Sequence, residues 1–203
     1  MRRLEGGRLL VATHNRGKLE EIAALLEPFG VAVSSNADHG LPEPPETGTT
    51  FADNARIKAR AAVAAVGIPA LADDSGLSVE ALGGAPGVRS ADWAERPDGS
   101  RDFAAAMARV HAELAAAGAA PPWRARFTCA LVLAWPDGHE ELFEGHVPGQ
   151  IIRPGRGEKG HGYDPLFLPD GFDTTFGEMD RWEKNRISHR GRAFALMMAG
   201  CLG

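Results

Sequence analysis

Cysteine is nearly absent from this chain. Cys129 and Cys201 are the only two in 203 residues, and they stand far apart in no metal-ligand spacing. A reducing, cytoplasmic setting is the expectation. Long apolar runs are missing as well: none approaches the ~20 residues that a membrane-spanning helix needs. The opening "MRRLEGGRLLVAT" is too short in its apolar part for a secretory signal. Positive charge is not in excess either, with 27 acids against 22 Lys and Arg and a net charge of −5. No global positive field exists to hold nucleic acid through its phosphates, so any anionic ligand must be met locally.

Several familiar motifs are also lacking. There is no G-x-x-x-x-G-K-[ST], "HEELF" has no second histidine for a zinc-protease helix, and the seven histidines form no cluster. "GRGEKG" (155–160) matches G-x-G-x-x-G letter by letter, but the "HGYDP" that follows carries Pro165 where a dinucleotide fold needs a helix.

What is present is a 44% hydrophobic chain, enough to bury a full core as one large α/β domain or two tightly fused lobes. "RLLVAT" (8–13) is predicted as a strand. "GKLEEIAALLEPFG" follows as a helix with Leu19, Ile22, Leu26 and Phe29 on one face. Residues 50–67 repeat the helical pattern, with Thr50 as N-cap and Gly67 as the stop, and "IPALAD" reads as a buried strand ending near the Ser-Gly pair at 75–76. A Gly-rich loop leads to an Ala-rich helix over 101–117. "RARFTCALVLAW", "PDG" and "HEELFEGHVPG" then make a hairpin. The chain closes with a charged stretch and a terminal helix N-capped by Ser188, with His189 and Arg190 in its first turn. Helices alternating with strands predict a parallel or mixed sheet.

Polar residues gather at the strand ends, where α/β proteins place their ligands. "THNRGK" (13–18) offers a hydroxyl, an amide and an ammonium ahead of a helix: a phosphate grip, or an ordinary strand–helix turn. "ETG" (46–48) sets an acid before a capped helix, as a ligand or as a charge favoured by the helix dipole. Asp73 and Asp74 stand side by side directly after an apolar run. Two adjacent carboxylates there need either water around a turn or a cation, and Mg²⁺ commonly takes one or two carboxylates with substrate phosphates. Ser188, His189 and Arg190 could form an anion site or simply a cap with a solvated guanidinium.

Together "VATHNRGKLEEI", "ETGTTFADNARIKA", "ALADDSGLSVEALGGAPGVRSA", "GYDPLF" and "EKNRISHRGRA" resemble, in order and over nearly the whole chain, the Ham1-like inosine triphosphate pyrophosphatases, also called dITP/XTP pyrophosphatases. The resemblance implies a single domain over 1–203, with an elongated mixed β-sheet flanked by helices and two lobes around a central substrate cleft, assembled as a homodimer. It implies hydrolysis of ITP, dITP and XTP to the nucleoside monophosphate and pyrophosphate, with no nucleic-acid or membrane partner. By the matching motifs, Thr13, Asn15 and Lys18 would bind phosphates, and Glu46 and Asp74 would hold Mg²⁺, with Asp74 also the proton acceptor. Ser75, Gly162, Tyr163, Asp164, Lys184, His189 and Arg190 fall in substrate-binding motifs. Asp73 and Lys58 are supporting residues, the role of Lys58 being open. One departure stands out: many relatives read "GFGYDP", with a Phe that stacks on the purine, and this chain has His161. Imidazole can stack too. The rival readings are a broader nucleotide pyrophosphatase related in fold to the Maf proteins, and a nucleotide-binding module without catalysis.

Overall fold

The computed structural model of the chain describes every residue except Gly6, Asn15 and Gly203, and leaves the side chains of Lys18, Glu21 and Leu25 undescribed. Its elements are β1 (Gly7–Val11), α1 (Arg16–Leu26), β2 (Val31–Ser35), α2 (Phe51–Val66), β3 (Ala70–Val79), α3 (Phe103–Ala116), β4 (Trp123–Ala134), β5 (Glu140–Ile151), β6 (Phe167–Pro169), α4 (Arg181–Ile187) and α5 (His189–Cys201). The six strands form one mixed sheet in the order β2-β1-β3-β4-β5-β6. β1 runs parallel to β2 and to β3, while β6 is antiparallel to β5. The register pairs Leu10 with Ala70 and Val11 with Leu71, which brings the residues after β1 alongside the Asp73–Asp74 pair. This is the α/β architecture that the alternation of helix and strand predicts. Among the described residues no helix is long and apolar enough to cross a membrane.

The chain divides into two compact units. One comprises Met1–Asp74, Ala130–Glu144 and Ala193–Gly203; the other comprises Ser75–Cys129 and Gly145–Arg192. In the first, Ala55, Ala59 and Ala62 of α2 recur at helical spacing and are nearly inaccessible, packing with Leu10, Ala70 and Val132. Small side chains on that face let the helix axis approach the strands closely, which fixes α2 over β3. Both ends of α2 are encoded locally: the Thr50 hydroxyl accepts the Asp53 N–H at 3.1 Å, and Gly67 ends the helix at φ 72°. The core of the second unit is aromatic, with Phe127, Phe167 and Phe176 in mutual ring contact and Leu77, Val110 and Leu114 in the same cluster. Burying each such side chain contributes about 1.5–3 kcal/mol.

The structure departs from the sequence reading in three places. Phe29 does not share the buried face of α1; it sits in a 3₁₀ turn, 36% exposed. The stretch around 180–187 is helical, with the Asp180 carboxylate capping α4 by accepting the Glu183 N–H at 2.8 Å. And β3 does not end at Ser75–Gly76 but runs on to Val79. The reason lies in the turn at 87–90. The Ser90 hydroxyl accepts the Leu77 N–H at 3.0 Å, and a Cβ on Gly76 would lie 2.3 Å from Ser90 Oγ and 2.7 Å from the Gly87 carbonyl oxygen. Gly76 is therefore a close-approach glycine inside a strand. Gly76→Ala is expected to cost about 1–3 kcal/mol, read as a lowered melting temperature by circular dichroism.

Candidate active site

Asp74 lies in β3 just beyond Asp73 and the run Ala70, Leu71 and Ala72, all three of these almost wholly buried, and its own side chain is only 12% exposed. Burial pushes its carboxyl up to about 6; Lys58 pulls it back, Glu46 pushes it further, the Asn54 amide lowers it and Asp73 raises it. The cation that meets this pair in the structure is Lys58. Its Nζ is 2.6 Å from Glu46 Oε1 and 3.7 Å from Asp74 Oδ1. Burial of the ammonium works against its charge, yet Asp74, Asp73 and Glu46 together hold its pKa above the ordinary lysine value. Three carboxylates thus surround one ammonium, and this local excess of negative charge suits a further hard cation.

Helix α2 supplies the positioning. Asn54 and Lys58 are one turn apart on the same face. The buried Asn54 side chain accepts the Gly48 N–H at 2.8 Å and donates to Asp74 Oδ2 at 3.1 Å. The loop bearing Glu46 is so held against the middle of β3. Among the described residues no group of three or more His, Cys, Asp or Glu is close enough to hold a metal unaided. Glu46 and Asp74 fit a cation that completes its shell with water and phosphate oxygens, as Mg²⁺ does. Beside them Thr13 is buried just past β1, and the His14 ring lies 2.8 Å from the Leu41 carbonyl oxygen and 3.3 Å from Glu43, tying the end of β1 to the same loop. Asn15 and the Lys18 side chain lie outside the described residues.

The second unit carries the other residues that the sequence singles out. Ser188 caps α5, its hydroxyl accepting the Gly191 N–H at 3.1 Å. His189 stacks on Phe127, with centroids 4.8 Å apart and planes 9° apart. Arg190 donates to the Ser75 hydroxyl at 3.3 Å, so the start of α5 and the middle of β3 come together. Asp164 is 2% exposed; its carboxylate accepts the His161 N–H at 2.6 Å and pairs with Lys184, whose ammonium also lies 5.4 Å over the Phe176 ring. Gly160, at φ +77°, has no room for a Cβ, which would lie 2.1 Å from Asp164 Oδ2. That loop thus holds Lys184 in place and leaves the His161 side chain exposed. Gly162, at φ +67°, completes the loop's reversal.

Tyr163 turns inward instead. It is 2% exposed, its hydroxyl donates to the Ser90 carbonyl at 2.8 Å, and its ring meets Phe103 edge-on at 5.7 Å. Burial pushes its phenol up to about 12. Its place in the "GYDP" run is as a strut that fixes the loop to the 87–90 turn. Sequence reasoning missed Asn54; the signal was the Asn-x-x-x-Lys spacing in "NARIK", which puts two polar side chains on one face of an otherwise alanine-lined helix.

The Ham1 family model matches residues 9–200 of the chain. A dITP/XTP pyrophosphatase of Ruegeria pomeroyi is 59% identical over 202 residues, covering 100% of this chain and 98% of the relative. Another, of Rhizobium meliloti, is 55% identical over 213 residues and covers 100% of both. Among solved structures, a HAM1 protein from Coxiella burnetii superposes with a TM-score of 0.89 at 36% identity, covering 95% of this chain and 96% of that one. A nucleoside-triphosphatase / dITP/XTP pyrophosphatase from Mycobacterium abscessus gives 0.78 at 42% identity, covering 94% and 97%.

Proposed function

The chain belongs to the Ham1 family, and on that footing we propose that it is a nucleoside triphosphate pyrophosphatase, hydrolysing dITP, XTP and ITP at the α–β phosphoanhydride. Water attacks the α-phosphorus, the bond to the bridging oxygen breaks, and nucleoside monophosphate and pyrophosphate leave. The observation that carries the reading is the carboxylate group around Asp74: a buried acid whose pKa of about 6 suits a proton acceptor near neutral pH, beside Glu46 and Lys58. Asp74 orients the attacking water and takes its proton. Glu46 and Asp74 would hold a divalent cation, for which we propose Mg²⁺. When bound, it neutralises phosphate charge and lowers the cost of the charge that develops on pyrophosphate.

The basic residues share the same electrostatic task, since a triphosphate carries about four negative charges. Thr13, Asn15 and Lys18 are assigned to the phosphates by their motif. Ser75, Gly162, Lys184, His189 and Arg190 are assigned to the substrate, with Asp164 and Tyr163 holding the loop that carries His161. Hypoxanthine and xanthine present a 6-oxo acceptor where adenine presents an amino donor, so N–H donors at that position leave adenine unpaired. Guanine must be refused at its 2-amino group. We further propose a homodimer acting on the nucleotide pool of the cytoplasm, a compartment that suits two free and buried cysteines.

A panel of ITP, dITP, XTP, dUTP, ATP and GTP with product identification tests the reading. Pyrophosphate release from the first three, at rates well above the others, is expected. Equal rates across the panel would indicate a broader pyrophosphatase, and Mg²⁺-independent binding without turnover a module that only binds. Within the panel, His161→Ala is expected to raise KM for ITP roughly five- to hundredfold with little change in kcat, because stacking on a base is worth about 1–3 kcal/mol. His161→Phe should keep the parent KM. An unchanged KM in the alanine variant would move base recognition elsewhere.

A further inference from the structure

The Asn54 amide has its orientation set by its partners. The Gly48 N–H can only donate, so the atom that it meets at 2.8 Å is the amide oxygen, and the amide nitrogen must then face Asp74 Oδ2, 3.1 Å away. Reversal would set an N–H against an NH₂ and an oxygen against a carboxylate. Nor can the side chain shift aside, because it is 2% exposed and a Cβ on residue 48 would lie 2.6 Å from its oxygen. The other carboxylate oxygen, Asp74 Oδ1, faces Lys58 at 3.7 Å. The two oxygens of Asp74 are therefore distinct: one faces an amide with no freedom to turn, the other, at longer range, an ammonium shared with Glu46.

We propose that Asn54 is a positioning residue for the reaction, a single amide that fixes the rotation of the Asp74 carboxylate and, in the same stroke, the Glu46–Gly48 segment relative to it. The inference rests on the pyrophosphatase reading above. Its physical content is that a water-activating carboxylate must be held within a small angle of its working orientation. A directional hydrogen bond at 3.1 Å from a fixed amide does this better than Lys58, which stands 3.7 Å away and is drawn to Glu46. Thr50, as the N-cap of α2, places Asn54 one turn into the helix and so sets the height at which the amide meets Gly48.

The test compares the full chain with Asn54→Ala and Asn54→Asp. Asn54→Asp keeps an acceptor for the Gly48 N–H but removes the donor to Asp74. Pyrophosphate release from ITP by the parent is measured first: if the parent is inactive, it is the pyrophosphatase reading that fails, whatever Asn54 does. With an active parent, both variants should lose about 10- to 100-fold in kcat, with KM for ITP within about threefold. Calorimetric titration with Mg²⁺ alone should show weakened binding in Asn54→Ala. A folded variant, judged by circular dichroism, that keeps kcat within about threefold of the parent overturns the inference. So does a lowered melting temperature with unchanged kcat per folded molecule, because that is the mark of a residue that only holds the loop. Should Asn54→Ala fail to fold, Asn54→Asp alone decides by its kcat.

Discussion

Asp74→Asn is expected to turn over ITP at least about a hundredfold more slowly than the parent and, at pH 7, to melt at a higher temperature. The two effects have one cause. Burial pushes the Asp74 carboxyl up to about 6 from an ordinary 3.8, so the folded state prefers the proton. The stabilisation that this gives is complete below the unfolded pKa and is lost as pH rises through about 6. At neutral pH the ionised group therefore costs the fold roughly 2–3 kcal/mol. Asparagine removes that charge, keeps the shape and still offers an oxygen to the Asn54 amide. It cannot take a proton from water. Pyrophosphate-release kinetics and thermal melts at pH 4, 5.5 and 7 read both effects, with the gain in stability largest at pH 7 and small at pH 4. A variant that keeps more than about a tenth of kcat, a loss under ~1.4 kcal/mol, would remove Asp74 from the central role.

Lys58→Met reverses that logic and should unfold most easily where the parent is comfortable. Lys58 holds Glu46 at 2.6 Å and Asp74 at 3.7 Å, and its charge persists above the ordinary lysine pKa, so it stabilises the parent throughout the range from acid to mildly alkaline pH. Removing one partner of a buried ion pair typically costs about 3–5 kcal/mol; here Asp74 is left buried without compensation, while Glu46, with a side chain 41% exposed, keeps much of its water. For a chain of this length that amounts to a fall of very roughly 6–20 °C in melting temperature at pH 7.5. The deficit should shrink at pH 4.5, where the Asp74 carboxyl is protonated and no longer needs the ammonium, and also on adding Mg²⁺ at pH 7.5. Lys58→Arg should retain most of the stability. A deficit equal at both pH values would mean that the aliphatic stem of Lys58 matters more than its charge. Asp74→Asn and Lys58→Met share partners, so their effects should not add. The double variant is expected to be more stable at pH 7.5 than Lys58→Met alone.

Much of the site is legible because family motifs lie where the chain turns. Thr13, Asp74 and Ser75 can be picked out as polar residues after an apolar segment, Glu46 as an acid ahead of a capped helix and Arg190 as a cation in a helix's first turn. Their partners cannot. Lys58 sits in an alanine-rich helix, where a lysine reads as a solvated charge, and only its distance to Glu46 shows otherwise. Tyr163 lies in the same run as Asp164 and His161, yet its hydroxyl is taken by the Ser90 carbonyl, 73 positions away. Nothing in the run itself signals which of its neighbours face inward.

What the sequence determined by itself is whatever its local chemistry encodes. Thr50 and Gly67 bound α2, Ser188 starts α5, and the order of the motifs specifies the family, because caps and turns are settled within about four residues of chain. Only the tertiary structure decided that the cation beside Asp74 is Lys58, that Asn54 joins Gly48 to Asp74, and that β3 continues past Ser75 to meet Ser90. These contacts join residues 6 to 20 positions apart. Their geometry follows from where α2 packs on the sheet and from the parallel register of β1 and β3, which are properties of side chains meeting across space, with no periodicity along the chain to announce them.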